Sequence, residues 1–210
     1  MENMDTIRSA INYHIKIGVL AGHFATNHSH VSHYIDMTTI KTKCNIAKDV
    51  AHELANRYSS VDIDTIICLE GTQMVGAFIG EAISRNGAGM NAGKNISVIT
   101  PELNSNNQMI FRDNTQRVVR DRNILLLISS ASSGKTINRF VECLEYYNGH
   151  LNGICALFSA IDEYHGIPIN SIFTKDNIPN YSTSSPADCP MCKAKQPVEA
   201  VITSFGYSKI

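Results

Sequence analysis

Short apolar segments alternate with amphipathic helical segments through the middle of the chain, and this alternation constrains the fold more than any other feature. The most apolar segment, ILLLIS at residues 124–129, is typical of a strand buried on both faces of a parallel sheet. Strands that alternate with helices are joined by right-handed crossovers. The sequence therefore predicts an α/β fold, with strands at 63–71, 95–100, 124–129 and 151–160 and helices at 45–58, 74–83 and 137–147.

The charge balance indicates what the chain binds. It has 18 basic and 19 acidic residues and a formal net charge of −1, so no field of one sign is present to hold nucleic acid or an anionic membrane surface. The 6 cysteines lie mostly singly in apolar runs, which is typical of reduced thiols, and no apolar run is long enough to span a membrane. We expect a single cytoplasmic domain over residues 1–210 that binds a small molecule.

A serine-rich turn follows the apolar segment at residues 124–129. Exposed N–H groups, hydroxyls, one glycine and one lysine at the start of a helix are what a bound phosphate requires. The sequence predicts a phosphate site at Ser132, Ser133, Gly134, Lys135 and Thr136. A serine-rich helix cap without a ligand is the alternative, because Ser and Thr are good N-caps in any protein.

A second turn follows the strand that ends at Gly71. Its glycine lets backbone amides approach an anion, so Glu70, Gly71, Thr72 and Gln73 are further candidates for anion binding. The alternative is an ordinary strand-to-helix turn. The carboxyl ends of parallel strands meet at one edge of a sheet, so both turns are expected at the same ligand site.

The serine-rich turn also resembles the P-loop of nucleotide triphosphatases, G-x-x-x-x-G-K-[ST]. Ser129 stands where the first glycine belongs, and Asp162 would then be the acid that holds magnesium. Because the glycine needed for the tight turn is absent, this interpretation ranks third.

Several segments, in order along the chain, resemble orotate phosphoribosyltransferases of the type I phosphoribosyltransferase family. Residues 132–136 are similar to the T-T-G-G-T-like loop that follows a hydrophobic strand, and residues 22–36 are similar to the opening hairpin. Residues 188–192, DCPMC, are similar to the D/E-C-P-x-C tail of a subset of that family. The resemblance implies a phosphoribosyltransferase fold with a small hood formed by residues 1–40 and 179–210, and a homodimer.

The resemblance also implies ligand roles. The 132–136 loop would bind the 5′-phosphate of phosphoribosyl pyrophosphate, and Glu70 to Gln73 would line the pyrophosphate side. Phe24, Asp162 and Glu163 would lie on the base side, and Mg²⁺ would be the cofactor of a catalytic protein.

Three departures from the family pattern bear on catalysis. Ser129 and Ser130 replace the acid pair that contacts the ribose hydroxyls, and residues 101–112 hold one acid and one arginine but no lysine or histidine for the leaving pyrophosphate. Asp162-Glu163 replaces the family's Asp-Arg, whose arginine recognises the orotate carboxylate. The sequence thus predicts either transfer of phosphoribosyl to a nitrogenous base other than orotate, or a non-catalytic nucleotide-sensing or regulatory protein on the same fold.

Metal-ligand residue types occur in two places. The first is a stretch with His23, His28, His30 and His33, in which His28 and His30 would share one face of a strand. The second is the pair Cys189 and Cys192, which has zinc-ligand spacing but no second pair after it. A lone C-x-x-C more often marks a turn or a redox-active pair, so we expect no metal at the histidines and no structural zinc at the cysteines.

Overall fold

A computed structural model describes residues 4–85, 87–105, 108–204 and 206–210. Its helices are α1 (Thr38–Thr42), α2 (Cys44–Ala55), α3 (Gln73–Arg85), α4 (Asp113–Gln116), α5 (Lys135–Tyr146) and α6 (Pro190–Lys193). Its strands are β1 (Asp5–Arg8), β2 (Lys16–Ala25), β3 (His30–Asp36), β4 (Thr65–Cys68), β5 (Ser97–Ile99), β6 (Glu102–Leu103), β7 (Met109–Ile110), β8 (Asn123–Ala131), β9 (His150–Ser159), β10 (Glu163–Tyr164), β11 (Ile167–Thr174), β12 (Thr183–Ser184), β13 (Ala200–Thr203) and β14 (Gly206–Lys209).

The main sheet has the strand order β10-β11-β9-β8-β4-β5. Strands β11, β9, β8, β4 and β5 are parallel to their neighbours, and only the short β10 at the edge runs antiparallel. Strand β8 lies in the interior of the sheet between β4 and β9, as its apolar sequence predicts. The α/β fold with a parallel sheet is confirmed.

Helices cover both faces of this sheet. Side chains alternate between the faces of a strand, and β8 accordingly sends Leu125 and Leu127 into one apolar core with α2 and α3. Ile124, Leu126 and Ile128 enter a second core, beneath α5. Burial on both faces is the reason that this strand reads as a continuous apolar run.

A second sheet is built from the two ends of the chain, and we call it the hood sheet. Its order is β12-β3-β2-β13-β14, with β1 paired to β2. Strand β13 lies parallel to β2 and pairs Ala200 with Phe24, so residues far apart in sequence share one ladder. Phe24, Val31, Tyr34 and Ala200 form its small core.

Between β5 and α4, strands β6 and β7 form a small antiparallel hairpin. This hairpin occupies the segment 101–112, of which Asn106 and Asn107 lie outside the described residues. Among the helices of the described ranges, none combines the length and the apolar character that crossing a membrane requires.

Candidate functional site

A cleft of about 700 Å³ lies between the hood sheet and the carboxyl ends of β4 and β8. Both turns singled out from the sequence line it, as expected for ligand sites of parallel sheets. Ser132 to Thr136 all contribute, and so do Glu70, Gly71 and Gln73. Thr72 is instead fully buried beneath the second turn, where its hydroxyl donates to the carbonyl oxygen of Leu69 at 2.8 Å.

The serine-rich turn is short because β8 continues to Ala131 and α5 begins at Lys135. Gly134 occupies the N-cap position in the left-handed region, with a φ of 75° that favours glycine. Because glycine has no side chain, the N-cap residue makes no capping hydrogen bond to this end of α5. Its first N–H groups and the positive end of its dipole therefore face the cleft, an arrangement suited to an anion.

This geometry disagrees with the P-loop interpretation. Ser129, which stands at the position of the first P-loop glycine, lies inside β8 and is 2% exposed. The strand pairing with β9 continues to Ala131. The long loop that a P-loop needs around its phosphates is therefore absent from this part of the chain.

Basic side chains surround the serine-rich turn. Lys135 and Arg139 of α5, Lys41 of α1 and His28 of the β2–β3 turn all line the cleft. Burial lowers the pKa of His28, and the nearby charges of Arg139 and Lys135 lower it further. Among the described lining residues Glu70 is the only one with a carboxyl group, so the cleft favours an anionic ligand.

Glu70 combines backbone strain with burial. Its φ is 58°, a left-handed conformation that is unfavourable for a residue other than glycine. Its Oε2 accepts a hydrogen bond from the backbone N–H of Ser130 at 3.2 Å. Burial raises the pKa of Glu70, partly offset by this hydrogen bond and by the charge of Lys41. A residue in a cleft that has a strained backbone and a carboxyl group of raised pKa is a candidate functional residue.

Ser129 and Ser130 occupy the positions at which the resemblance to orotate phosphoribosyltransferases predicts two acidic residues. The Ser129 hydroxyl points to the sulfur of Met37 at 3.8 Å, and Ser130 lines the cleft. Mg²⁺ is usually held by carboxylates together with substrate phosphates. Glu70 is the one carboxylate among the described cleft residues, so a magnesium ion here would depend on Glu70 together with substrate phosphates and water.

The three base-side candidates do not meet in the cleft. Asp162 and Glu163 are exposed and follow β9, where Glu163 pairs with Pro168 in the β10–β11 hairpin. Phe24 is 1% exposed in the core of the hood sheet. Phe24 is enclosed in the hood core, Asp162 and Glu163 are exposed beyond β9, and the described residues that line the cleft include none of the three.

Hydrogen bonds join the hood side of the cleft to the main-sheet side. Lys135 Nζ donates to the carbonyl oxygen of His28 at 3.3 Å, and the Tyr181 hydroxyl donates to Ser132 Oγ at 3.4 Å. Lys41 Nζ donates to the carbonyl oxygen of Ser204 at 3.1 Å. The cationic side chains thus also hold the hood sheet against the phosphate-binding candidates.

The histidine stretch and the cysteine pair, separate in the sequence, meet in the hood. The ligand atoms of His23, His30, Cys189 and Cys192 all lie within 4.8 Å of one another. His28 does not share a strand face with His30, because it lies in the β2–β3 turn. The spacing of the cysteines was visible in the sequence, but their proximity to histidines more than 150 residues earlier was not.

No protein-family model matches the sequence, and no curated protein matches it either. Solved structures do match. The chain aligns with UMP synthase of Leishmania donovani at a TM-score of 0.54 and 17% identity over 77% of this chain, and spans only 34% of that protein's length.

Two further matches span most of both chains. Adenine phosphoribosyltransferase of Thermoanaerobacter pseudethanolicus aligns at a TM-score of 0.51 and 14% identity, over 81% of this chain and 95% of that one. Orotate phosphoribosyltransferase of Mycobacterium tuberculosis, in complex with phosphoribosyl pyrophosphate, aligns at 0.52 and 12%, over 69% and 82%. At these identities the likeness concerns the fold, and the chain has the type I phosphoribosyltransferase fold.

Proposed function

We propose that this chain binds a phosphorylated ribosyl ligand, phosphoribosyl pyrophosphate or a nucleoside 5′-monophosphate, with its 5′-phosphate on the Ser132–Thr136 turn. The observation that carries the proposal is the uncapped N-terminus of α5, which opens into the cleft behind left-handed Gly134 and beside Lys135 and Arg139. The fold supports the same ligand class, since a structure of this fold holds phosphoribosyl pyrophosphate.

The phosphate would be bound mainly by backbone N–H groups and by the Ser132, Ser133 and Thr136 hydroxyls. Lys135 and Arg139 would offset its charge, and the ribose would extend toward Glu70 and Ser130. Glu70, at the start of the second turn, would face the pyrophosphate or the ribose hydroxyls. This arrangement needs no protein-held metal, because the cations of the cleft are side chains.

If the ligand is phosphoribosyl pyrophosphate, the reaction transfers the phosphoribosyl group to a nitrogenous base and releases pyrophosphate. The base would not be orotate, since no arginine follows β9 to pair with its carboxylate. A homodimer, expected from the resemblance, belongs to this proposal and is checked by sedimentation.

A non-catalytic nucleotide sensor is the second candidate, and Ser129 and Ser130 favour it. They leave the end of β8 without the two carboxylates expected there, and Ser129 is buried against Met37. Tight binding of nucleoside monophosphates without pyrophosphate release from phosphoribosyl pyrophosphate, over a panel of bases, would identify a sensor. Pyrophosphate release that depends on one base would identify a transferase.

Titration calorimetry with phosphoribosyl pyrophosphate, with and without Mg²⁺, and with nucleoside 5′-monophosphates tests the shared part of the proposal. Lys135→Ala and Thr136→Ala should each weaken binding about 10- to 100-fold, the range expected for hydrogen bonds to a charged group. Lys48→Ala, an exposed change on α2, is the matched control and should bind as the unmodified chain does. Absence of binding by every ligand, or equal affinity in all variants, would contradict the proposal.

A further inference from the structure

The cluster of His23, His30, Cys189 and Cys192 lies outside the cleft and has no part in the proposed function. His23 and His30 belong to β2 and β3, and the cysteines flank the start of α6 near the other end of the chain. None of the four is among the described residues that line the cleft. The cluster therefore calls for its own explanation.

A β-bulge aims His23 inward. The pairing of β2 with β3 shifts register between Ala21 and Phe24, and consequently both His23 and Phe24 are buried although they are adjacent. In a regular strand adjacent side chains point to opposite faces, and a bulge re-aims one of them. A Cβ at Gly22 would lie 2.8 Å from Cζ of the buried Phe24 ring and 2.9 Å from a carboxylate oxygen of Glu199, so glycine leaves room for both side chains at the bulge.

The His23 ring is oriented by a backbone carbonyl. Its Nδ1 lies 2.9 Å from the oxygen of Gln196, which can only accept, so Nδ1 carries the hydrogen. In the neutral ring Nε2 then offers a lone pair to the cluster. Metal-binding histidines are commonly fixed in this way, by a second hydrogen bond to a carbonyl or carboxylate.

Hydrogen bonding within the cluster does not account for this geometry. Nε2 of His23 lies 3.0 Å from Nδ1 of His30, 3.5 Å from Sγ of Cys189 and 3.6 Å from Sγ of Cys192. A single lone pair cannot accept well from three donors at once. A cation at the centre would instead engage the lone pairs of both imidazoles and both sulfurs.

Four of the six ligand-to-ligand separations, those of His23 Nε2 to the other three atoms and of His30 Nδ1 to Cys192 Sγ, are close to the edges of a zinc tetrahedron. With Zn–N bonds of about 2.0–2.1 Å and Zn–S bonds of about 2.3 Å, the N···N edge is about 3.3 Å and the N···S edge about 3.5 Å. The observed values are 3.0 Å between the nitrogens and 3.3 Å from Cys192 Sγ to His30 Nδ1.

We propose that His23 Nε2, His30 Nδ1, Cys189 Sγ and Cys192 Sγ form a closed, structural Zn²⁺ site that ties the β2–β3 hairpin to the C-terminal segment. A tetrahedral S₂N₂ set selects zinc among the common divalent metals, and four protein ligands leave no position for substrate. The sequence-based expectation of no zinc came from the missing second cysteine pair, whose place two histidines take.

The first test is metal content of the full-length chain, purified under reducing conditions without chelator or added metal. About one zinc ion per chain is expected for a single site. Replacement by Co²⁺ should give a thiolate-to-cobalt charge-transfer band and the intense visible bands of tetrahedral cobalt. A folded chain that binds neither metal would overturn the proposal, as would one whose Cys189 and Cys192 are joined in a disulfide and take up no metal after reduction.

Variants then assign the ligands. Cys192→Ser and His30→Gln change side chains that are not fully buried, so the fold should tolerate them, and each should abolish the tetrahedral cobalt spectrum or weaken cobalt binding at least 10-fold. Cys44→Ser and His14→Gln, both at exposed positions, are the matched controls and should leave the spectrum unchanged. Equal spectra in all four variants would place the metal elsewhere and refute the site.

Discussion

At the scale of single residues, Glu70 is the one described cleft residue whose charge opposes the cations around it. Burial raises the pKa of its carboxyl group, so the folded state holds the proton to higher pH than the unfolded state does. The stability that this group contributes is complete below the ordinary Glu pKa of about 4.3 and is lost as pH rises through the folded value.

Glu70→Gln should therefore stabilise the chain near neutral pH, by about 0.5–2 kcal/mol, the usual gain from relieving a local cost. The amide oxygen of glutamine can still accept the hydrogen bond from the Ser130 N–H. Urea unfolding at neutral pH and below about pH 4 measures the free energy of unfolding of the variant and of the unmodified chain. The difference in stability should disappear at the lower pH. A variant less stable than the unmodified chain at neutral pH would show that the pairing of Glu70 with Lys41 outweighs burial.

The positions of candidate site residues on the cleft were predictable where these residues are contiguous in sequence. Ser132 to Thr136 follow the most apolar strand, so their place at a strand end was apparent, and the structure does put them on the cleft wall. Lys41 and Arg139 escaped notice because each lies on a different element and an isolated basic residue carries no local signal, and His28 was noted only as a candidate metal ligand. Phe24 was placed in the ligand site through resemblance, whereas the bulge and the hood core bury it.

At the scale of secondary-structure elements, close contact between α3 and β4 depends on glycine. A Cβ on Gly76 would lie 2.3 Å from the sulfur of fully buried Cys68, whereas a Cβ on Gly80 would meet its nearest atom, in Ile66, at an ordinary 3.6 Å. The two positions lie on one face of the same helix. Replacing either glycine by alanine should therefore increase helix propensity by nearly the same amount.

Gly76→Ala should destabilise the chain by about 1–3 kcal/mol through overpacking, and Gly80→Ala should stabilise it by about 0.5–1 kcal/mol. Chemical denaturation of both variants gives the comparison. Adding Cys68→Ala to Gly76→Ala should recover part of the loss, because the two side chains compete for one space. Similar effects of the two glycine substitutions would mean that α3 shifts freely on the sheet.

The secondary-structure elements also differ in how well the sequence predicts them. Strands β4, β5, β8 and β9 and helices α2, α3 and α5 were predicted from the pattern of their apolar residues, with ends displaced by a few residues. Strands β10 and β11 at the edge of the main sheet were not predicted. In the hood sheet, the sequence predicted little beyond the β2–β3 hairpin. Strand β12 has only 2 residues, and β13 pairs with β2 although the two strands lie near opposite ends of the chain. Pairing of that kind is decided by tertiary contacts such as the hydrogen bond from the His23 N–H to Glu199.

At the scale of the whole molecule, the hood sheet and the main sheet enclose the cleft and are joined across it by hydrogen bonds of Lys41, Lys135 and Tyr181. A ligand seated on the Ser132–Thr136 turn would contact both parts. Binding to the folded state alone stabilises a protein by about 2.7 kcal/mol at a ligand concentration 100 times Kd.

For a chain of this size such binding should raise Tm by about 5–10 °C, and it should slow amide hydrogen exchange in the hood as well as in the Ser132–Thr136 turn. The informative amides are those of the β2–β3 turn at residues 26–29 and of Ser204, which belong to the hood sides of the cleft. Lys135→Ala should reduce both effects together. Slower exchange confined to residues 132–136, with the hood unchanged, would mean that the ligand sits on the main sheet alone and that the hood plays no part in holding it.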